Sequence, residues 1–127
     1  MAMRCSLLAL VLVVGAFAPA AIGAEPKDLV GRYKVEGVNP DKSKYEGEAE
    51  IELDKGKLLK VTIKVGKRTD VGMGHIDGDK FVIEYEGVVK TDRHGKAEYE
   101  IQKNGVLAGF WKDKGSAKGE ETLLPKK

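Results

Sequence analysis

From Gly31 to Leu124 the chain alternates apolar and charged residues with period two, the repeat of a strand with one buried and one wet face. In "RYKVEGV" the apolar set is Tyr33, Val35 and, past Gly37, Val38. In "YEGEAEIELD" it is Tyr45, Ala49, Ile51 and Leu53, opposed by Glu46, Glu48, Glu50 and Glu52. "LLKVTIKV" sets Leu59, Val61, Ile63 and Val65 against Lys60, Thr62 and Lys64. "FVIEYE" contributes Phe81, Ile83 and Tyr85, and "AEYEIQ" contributes Ala97, Tyr99 and Ile101. No stretch carries a convincing amphipathic helix. The runs are broken by turn chemistry at Asn39-Pro40-Asp41, Asp54-Lys55-Gly56, Val65-Gly66-Lys67, Asp77-Gly78-Asp79, Arg93-His94-Gly95 and Asn104-Gly105. About eight strands result, near 29–38, 44–54, 57–65, 69–77, 79–86, 95–103, 105–112 and 117–124.

A flat meander of eight such strands would expose its apolar face and two open edges. Closing the last strand onto the first removes both, so the expected fold is all-β, a small antiparallel up-and-down β-barrel. A two-sheet sandwich is the alternative. Gly31, Gly37, Gly47, Gly72, Gly74, Gly87, Gly109 and Gly119 fall within or beside strands. There glycine weakens the strand unless the backbone must bend or something must come close, and small barrels need bends at their corners.

The first 24 residues stand outside this pattern. Arg4 supplies a positive start, Leu7 to Phe17 an apolar run, and Pro19 to Ala24 a small-residue cleavage zone: a secretory signal peptide over 1–24, with a single barrel domain over 25–127. Cleavage after Ala24 is expected, with Ala20 as the second choice. The single cysteine, Cys5, leaves with this segment, so the exported chain has neither disulfide nor thiolate metal site. Losing Arg4 from the 22 basic and 20 acidic residues leaves an excess of one basic residue. Lys and Glu alternate rather than segregate, so no nucleic-acid patch is expected, and no membrane association after signal cleavage. The expected location is secreted or periplasmic.

Candidate chemistry is sparse. Ser43 and Ser116 are the serines beyond the signal, in Lys- and Gly-rich turns away from either histidine. His94 lies in the turn "TDRHGK". His75 follows the parity of Val71 and Met73, which would place it inside the barrel; should Gly72, Gly74 and Ile76 face inward instead, it is exposed. One histidine with the turn aspartates Asp77 and Asp79 makes a poor metal site. The strand glutamates alternate with apolar residues and read as a solvated face. No metal, no cofactor and no catalytic residue is therefore expected. The ligand-binding candidates are the aromatics of inward parity with the one histidine that could join them: Tyr33, Tyr45, His75, Phe81, Tyr85, Tyr99 and Trp111. Such a set either orients a ligand with its hydroxyls or simply fills the core.

Gly31-Arg32-Tyr33 on the first strand resembles the Gly-x-aromatic opening of calycins, the superfamily of lipocalins, fatty-acid-binding proteins and avidins, and "LAGFW" (Leu107 to Trp111) echoes their Gly-x-Trp habit. The series "GRYKVEGVNPD…YEG", "GMGHIDGDKFVI", "GVLAGFW" and "GEETLLP" is similar to short exported bacterial proteins often labelled fibronectin-binding. The resemblance implies a calycin-like barrel and an adhesive role. The expected function is thus a secreted non-catalytic binding protein directed at an extracellular or envelope protein. The alternative is a carrier of a small apolar ligand inside the barrel.

Overall fold

The computed structural model describes residues 23–85, 95–112 and 118–126. Most of the expected signal segment (1–22), and Glu86, Gly87, His94 and Ser116, lie outside these residues. The described chain runs α1 (Pro26–Leu29), β1 (Gly31–Val38), β2 (Lys44–Leu53), β3 (Leu59–Val65), β4 (Arg68–Asp77), β5 (Lys80–Glu84), β6 (Lys96–Ile101), β7 (Leu107–Lys112) and β8 (Lys118–Pro125). Each strand pairs antiparallel with its sequence neighbour, and β1 pairs with β8 to close the barrel. The eight strands and the closure expected from the alternation are present; the sandwich is not. At one end, called here the upper, β1 and β3 finish and β2 and β4 begin. The lower end carries α1 and the β2–β3 and β4–β5 turns.

Strand limits differ from expectation where local hydrogen bonds begin a turn early. Asp54 N–H donates to the Leu58 carbonyl (2.9 Å) and Leu58 N–H to Lys55 (3.0 Å), so β3 starts at Leu59 rather than 57. Gln102 N–H donates to Val106 (3.0 Å) and Gly105 N–H to Gln102 (2.9 Å), which ends β6 at Ile101. The start of β1 gives way to the unexpected turn of helix α1, introduced by Pro26 and held by Glu25 N–H donating to Asp28 Oδ2 at 2.8 Å. The β3–β4 hairpin has a two-residue turn, where Gly66 takes φ +60°, a value that favours glycine.

Inside lie Tyr33, Val35, Ala49, Ile51, Leu59, Val61, Ile63, Phe81, Ile83, Tyr85, Ala97, Tyr99, Ile101, Leu107 and Leu123, none more than 4% exposed. A lumen wide enough for a water-sized sphere would leave its lining exposed, so this part of the barrel is filled by its own side chains. The glycines explain how. A Cβ at Gly37 would overlap the Tyr45 ring, one at Gly74 the Phe81 ring, and one at Gly119 would lie 2.5 Å from Trp111. The expectation that strand glycines chiefly bend the sheet is thereby sharpened: they face inward and make seats for aromatic rings. Gly37 also keeps the inward parity of β1, so Val38 turns to the outer wall instead of the core.

Outside, Glu48 stands opposite Lys64, Glu52 opposite Lys60, and Lys80 opposite Glu100. The ion pairs formed on this wall, such as Lys126 to Glu48 at 3.1 Å, are exposed and each contributes about 0–1 kcal/mol at most. Their role is to hold one face of every strand in water.

α1 covers the lower end. Leu29 is buried there, and the Tyr33 hydroxyl donates to its carbonyl at 2.6 Å. Burial pushes the Tyr33 hydroxyl from 10.0 up to about 12, because the phenolate would lose its water. With the folded value raised, the contribution of Tyr33 to stability is complete below about pH 10 and lost as pH climbs toward about 12. Urea midpoints measured across that interval are expected to fall in the native chain and to fall less in Tyr33→Phe; equal slopes would remove this assignment.

Candidate functional site

The aromatic candidates do not form one site. Tyr33 belongs to the lower end with α1. Phe81 lies against Tyr99 with ring centroids 6.4 Å apart, and Tyr85 is fully buried over Gly72, where a Cβ would meet its ring at 2.9 Å. Tyr45, Tyr99 and Trp111 do come together, around a residue that the sequence reading missed.

That residue is Glu121 of β8, 1% exposed and inside the barrel. One cross-strand row explains its position: Tyr45 stands opposite Gly37, Gly37 opposite Glu121, Glu121 opposite Gly109, and Gly109 opposite Tyr99. The buried carboxylate is thus flanked on both sides by a glycine and then a tyrosine. With no Cβ at Gly37, the Tyr45 ring lies over β1, and its hydroxyl donates to Glu121 Oε2 at 2.6 Å. From the other side the Tyr99 hydroxyl donates to Oε1 at 2.5 Å. Both distances fall in the range of charge-assisted O–H···O bonds. Trp111 Nε1–H donates to the Tyr45 oxygen at 3.0 Å, extending the chain to Trp111–Tyr45–Glu121–Tyr99. A side chain at Gly109 would run into the Glu98 carbonyl, so β6 and β7 also approach closely here.

A second buried acid, Asp70, belongs to β4. Arg68 precedes it on the same face, with Nε 3.2 Å from Asp70 Oδ2. The Arg68 guanidinium carbon lies 6.0 Å from the centre of the Tyr45 ring, within cation–π range. The upper end of the barrel therefore holds a connected polar group of Arg68, Asp70, Tyr45, Glu121, Tyr99 and Trp111 above an apolar interior.

Asp70 faces inward because β4 uses the other of its two parities. Gly72, Gly74 and Asp70 are buried, while Val71, Met73 and His75 are half-buried on the outer wall. This corrects the placement of His75 among the interior candidates. The physical reason is bulk: Ile83 of β5 and Tyr85 just after it fill the space beside Gly72, and Phe81 fills that beside Gly74, leaving no room for Val71, Met73 and His75 on that side. His75 consequently has no access to the inward tyrosines. Among the described residues no group of three or more His, Cys, Asp or Glu comes together to hold a metal ion.

The Glu121 signal was in the sequence. Glu120 and Glu121 are adjacent, and in a strand one of two neighbours must face inward; Leu123 shares the parity of Glu121. Asp70 left a weaker trace, since "TDVGMGHID" supports either parity. Arg68 follows from Asp70 at a spacing of two.

Two surface depressions are prominent, one at the lower end and one against the polar group. One of about 580 Å³ sits beside α1, lined by Pro26, Lys57, His75 and Ile76. Another, of about 410 Å³, lies along β2, β1 and β8 about Gly37 and reaches the polar group, lined by Tyr45 and Glu121 together with Glu36, Val38, Lys44 and Glu120 among others.

No protein-family profile matches the chain, and no curated protein does. Among solved structures it is similar to a redesigned β-barrel at 15% identity and a TM-score of 0.58, over 80% of this chain and 95% of that one. It also aligns, at 14% identity and a TM-score of 0.40, with a protein of unknown function of the DUF3598 family from Nostoc punctiforme, over 79% of this chain and 48% of that one. The first likeness shows the fold, a closed antiparallel barrel of eight strands.

Tyr45→Phe takes from this group one donor to Glu121 and the acceptor of Trp111 while keeping the ring on Gly37. A loss of about 1–3 kcal/mol in urea unfolding is expected, together with an altered Trp111 emission spectrum, because both bonds serve part-buried or buried groups. An unchanged midpoint and spectrum would show that the hydroxyl does not connect them.

Proposed function

We propose that the chain is an exported, non-catalytic binding protein whose calycin-like barrel engages an extracellular or envelope protein with its outer wall and upper rim. The observation that carries this reading is the filled interior. Phe81, Tyr85, Tyr99, Ile63 and Leu123 are all 0% exposed, and the tyrosines that could have lined a ligand cavity are used by Glu121 and Leu29 instead. A carrier of a drug-sized apolar ligand needs roughly 300 Å³ or more of enclosed space, and these side chains leave none beside them. The signal-like first 24 residues support export, and the resemblance to proteins labelled fibronectin-binding supports a protein partner. The rigid barrel suits this role, since pre-organised walls lose little entropy on binding.

The test uses the chain from residue 25 onward in two measurements. Immobilised, it is expected to capture soluble fibronectin saturably. Native mass spectrometry of the same preparation is expected to give the bare chain mass. A stoichiometric small adduct, with no capture of fibronectin, would overturn the reading in favour of the carrier.

A further inference from the structure

Arg68 is built differently from the other basic residues of the barrel. Lys34, Lys80 and Lys126 pair with glutamates on the wet outer wall. Arg68 instead opens β4 on the inward parity, at the upper mouth, where the chain has just turned at Gly66. Its Nε is shut off from solvent beside the buried carboxylate of Asp70, yet the side chain as a whole remains 36% exposed. The contact with Asp70 runs through Nε, which itself makes no hydrogen bond. An arginine present only to neutralise Asp70 would set its two-pronged face against that acid, the stronger arrangement. Arg68 meets Asp70 through Nε in an ion-pair contact without a hydrogen bond, which leaves its terminal amino groups for another partner, and the side chain sits between Asp70 on one side and the Tyr45 ring on the other.

We propose that Arg68 and Tyr45 form a carboxylate-binding site at the upper mouth of the barrel. The planar fork of two N–H groups matches the two oxygens of a carboxylate, and Tyr45 supplies an aromatic shelf beside it. Asp70 acts as the positioning residue. Lys44 and Lys67, both exposed and adjacent in sequence to Tyr45 and Arg68, add positive charge at the rim and favour an anionic visitor. The carboxylate comes either from an acidic side chain of a protein partner or from a small free acid. The first source deepens the binding reading above and rests on it; the site itself does not.

Trp111, the single tryptophan, donates to the Tyr45 hydroxyl and reports on this mouth by its emission. The chain from residue 25 onward is titrated with acetyl-Gly-Glu-Gly-amide, with its Gln counterpart, and with acetate, following Trp111 emission and the Arg68 side-chain N–H resonances. The Glu peptide is expected to shift both signals saturably and the Gln peptide neither. Arg68→Lys, which keeps the charge opposite Asp70 but loses the fork, is expected to weaken binding by about ten-fold or more. Acetate matching the Glu peptide in affinity supports the site with a small acid as its ligand; a clear preference for the peptide supports a protein side chain. Equal responses to the Glu and Gln peptides, no movement of the Arg68 resonances in the native chain, or undiminished binding by Arg68→Lys would each overturn the site. Because those measurements use no fibronectin, they separate the two proposals: loss of fibronectin capture with an intact peptide response leaves the site standing, and capture without a peptide response removes it.

Discussion

A carboxylate inside a narrow barrel is the constraint around which the upper half of this protein is arranged. Glu121 has left water almost completely, and a buried charge without hydrogen bonds would cost several kcal/mol. It is offset by two phenolic donors arriving from β2 and β6, two strands away on either side. Such reach is possible because glycines occupy the intervening positions on β1 and β7. The tie thus joins strands that make no backbone bonds with one another, across the seam where the last strand meets the first. Closure of the sheet and satisfaction of Glu121 depend on the same row.

The arrangement also decides what the interior offers. Inward tyrosines in a small barrel could serve a ligand, but here Tyr33 is spent on the lower plug, Tyr45 and Tyr99 on Glu121, and Phe81 on packing beneath them. With the centre filled, the surfaces open to solvent are the rim and the wall. There the alternating Lys and Glu ladders give a solvated surface without a dominant sign of charge. The mouth differs, because Arg68 stands half exposed over a buried acid.

The period-two runs and the turn chemistry between them placed all eight strands, and the cost of an open apolar face and two free edges favoured closure over a sandwich. Turn glycines were equally legible: Gly56, Gly66, Gly78 and Gly105 all take positive φ. The failures were of parity and of polar interior residues. On β4 both faces are light, with Gly72 and Gly74 on one and Val71, Met73 and His75 on the other. Hydropathy favoured the second set, whereas steric room inside chose the first. A rule that treats glutamate as solvated described Glu46 through Glu52 correctly and passed over Glu121, whose burial depends on tyrosines far away in sequence. α1 is a single turn, too short for a helical period to register.

The direct test of the central row is a double-mutant cycle in urea unfolding on Tyr99→Phe and Glu121→Leu. If the two groups satisfy each other, the single replacements each strand a buried partner, and the pair together costs less than the sum, with a coupling of about 1 kcal/mol or more. Additivity to within about 0.3 kcal/mol would contradict the account, because it would mean that Glu121 and Tyr99 do not depend on one another.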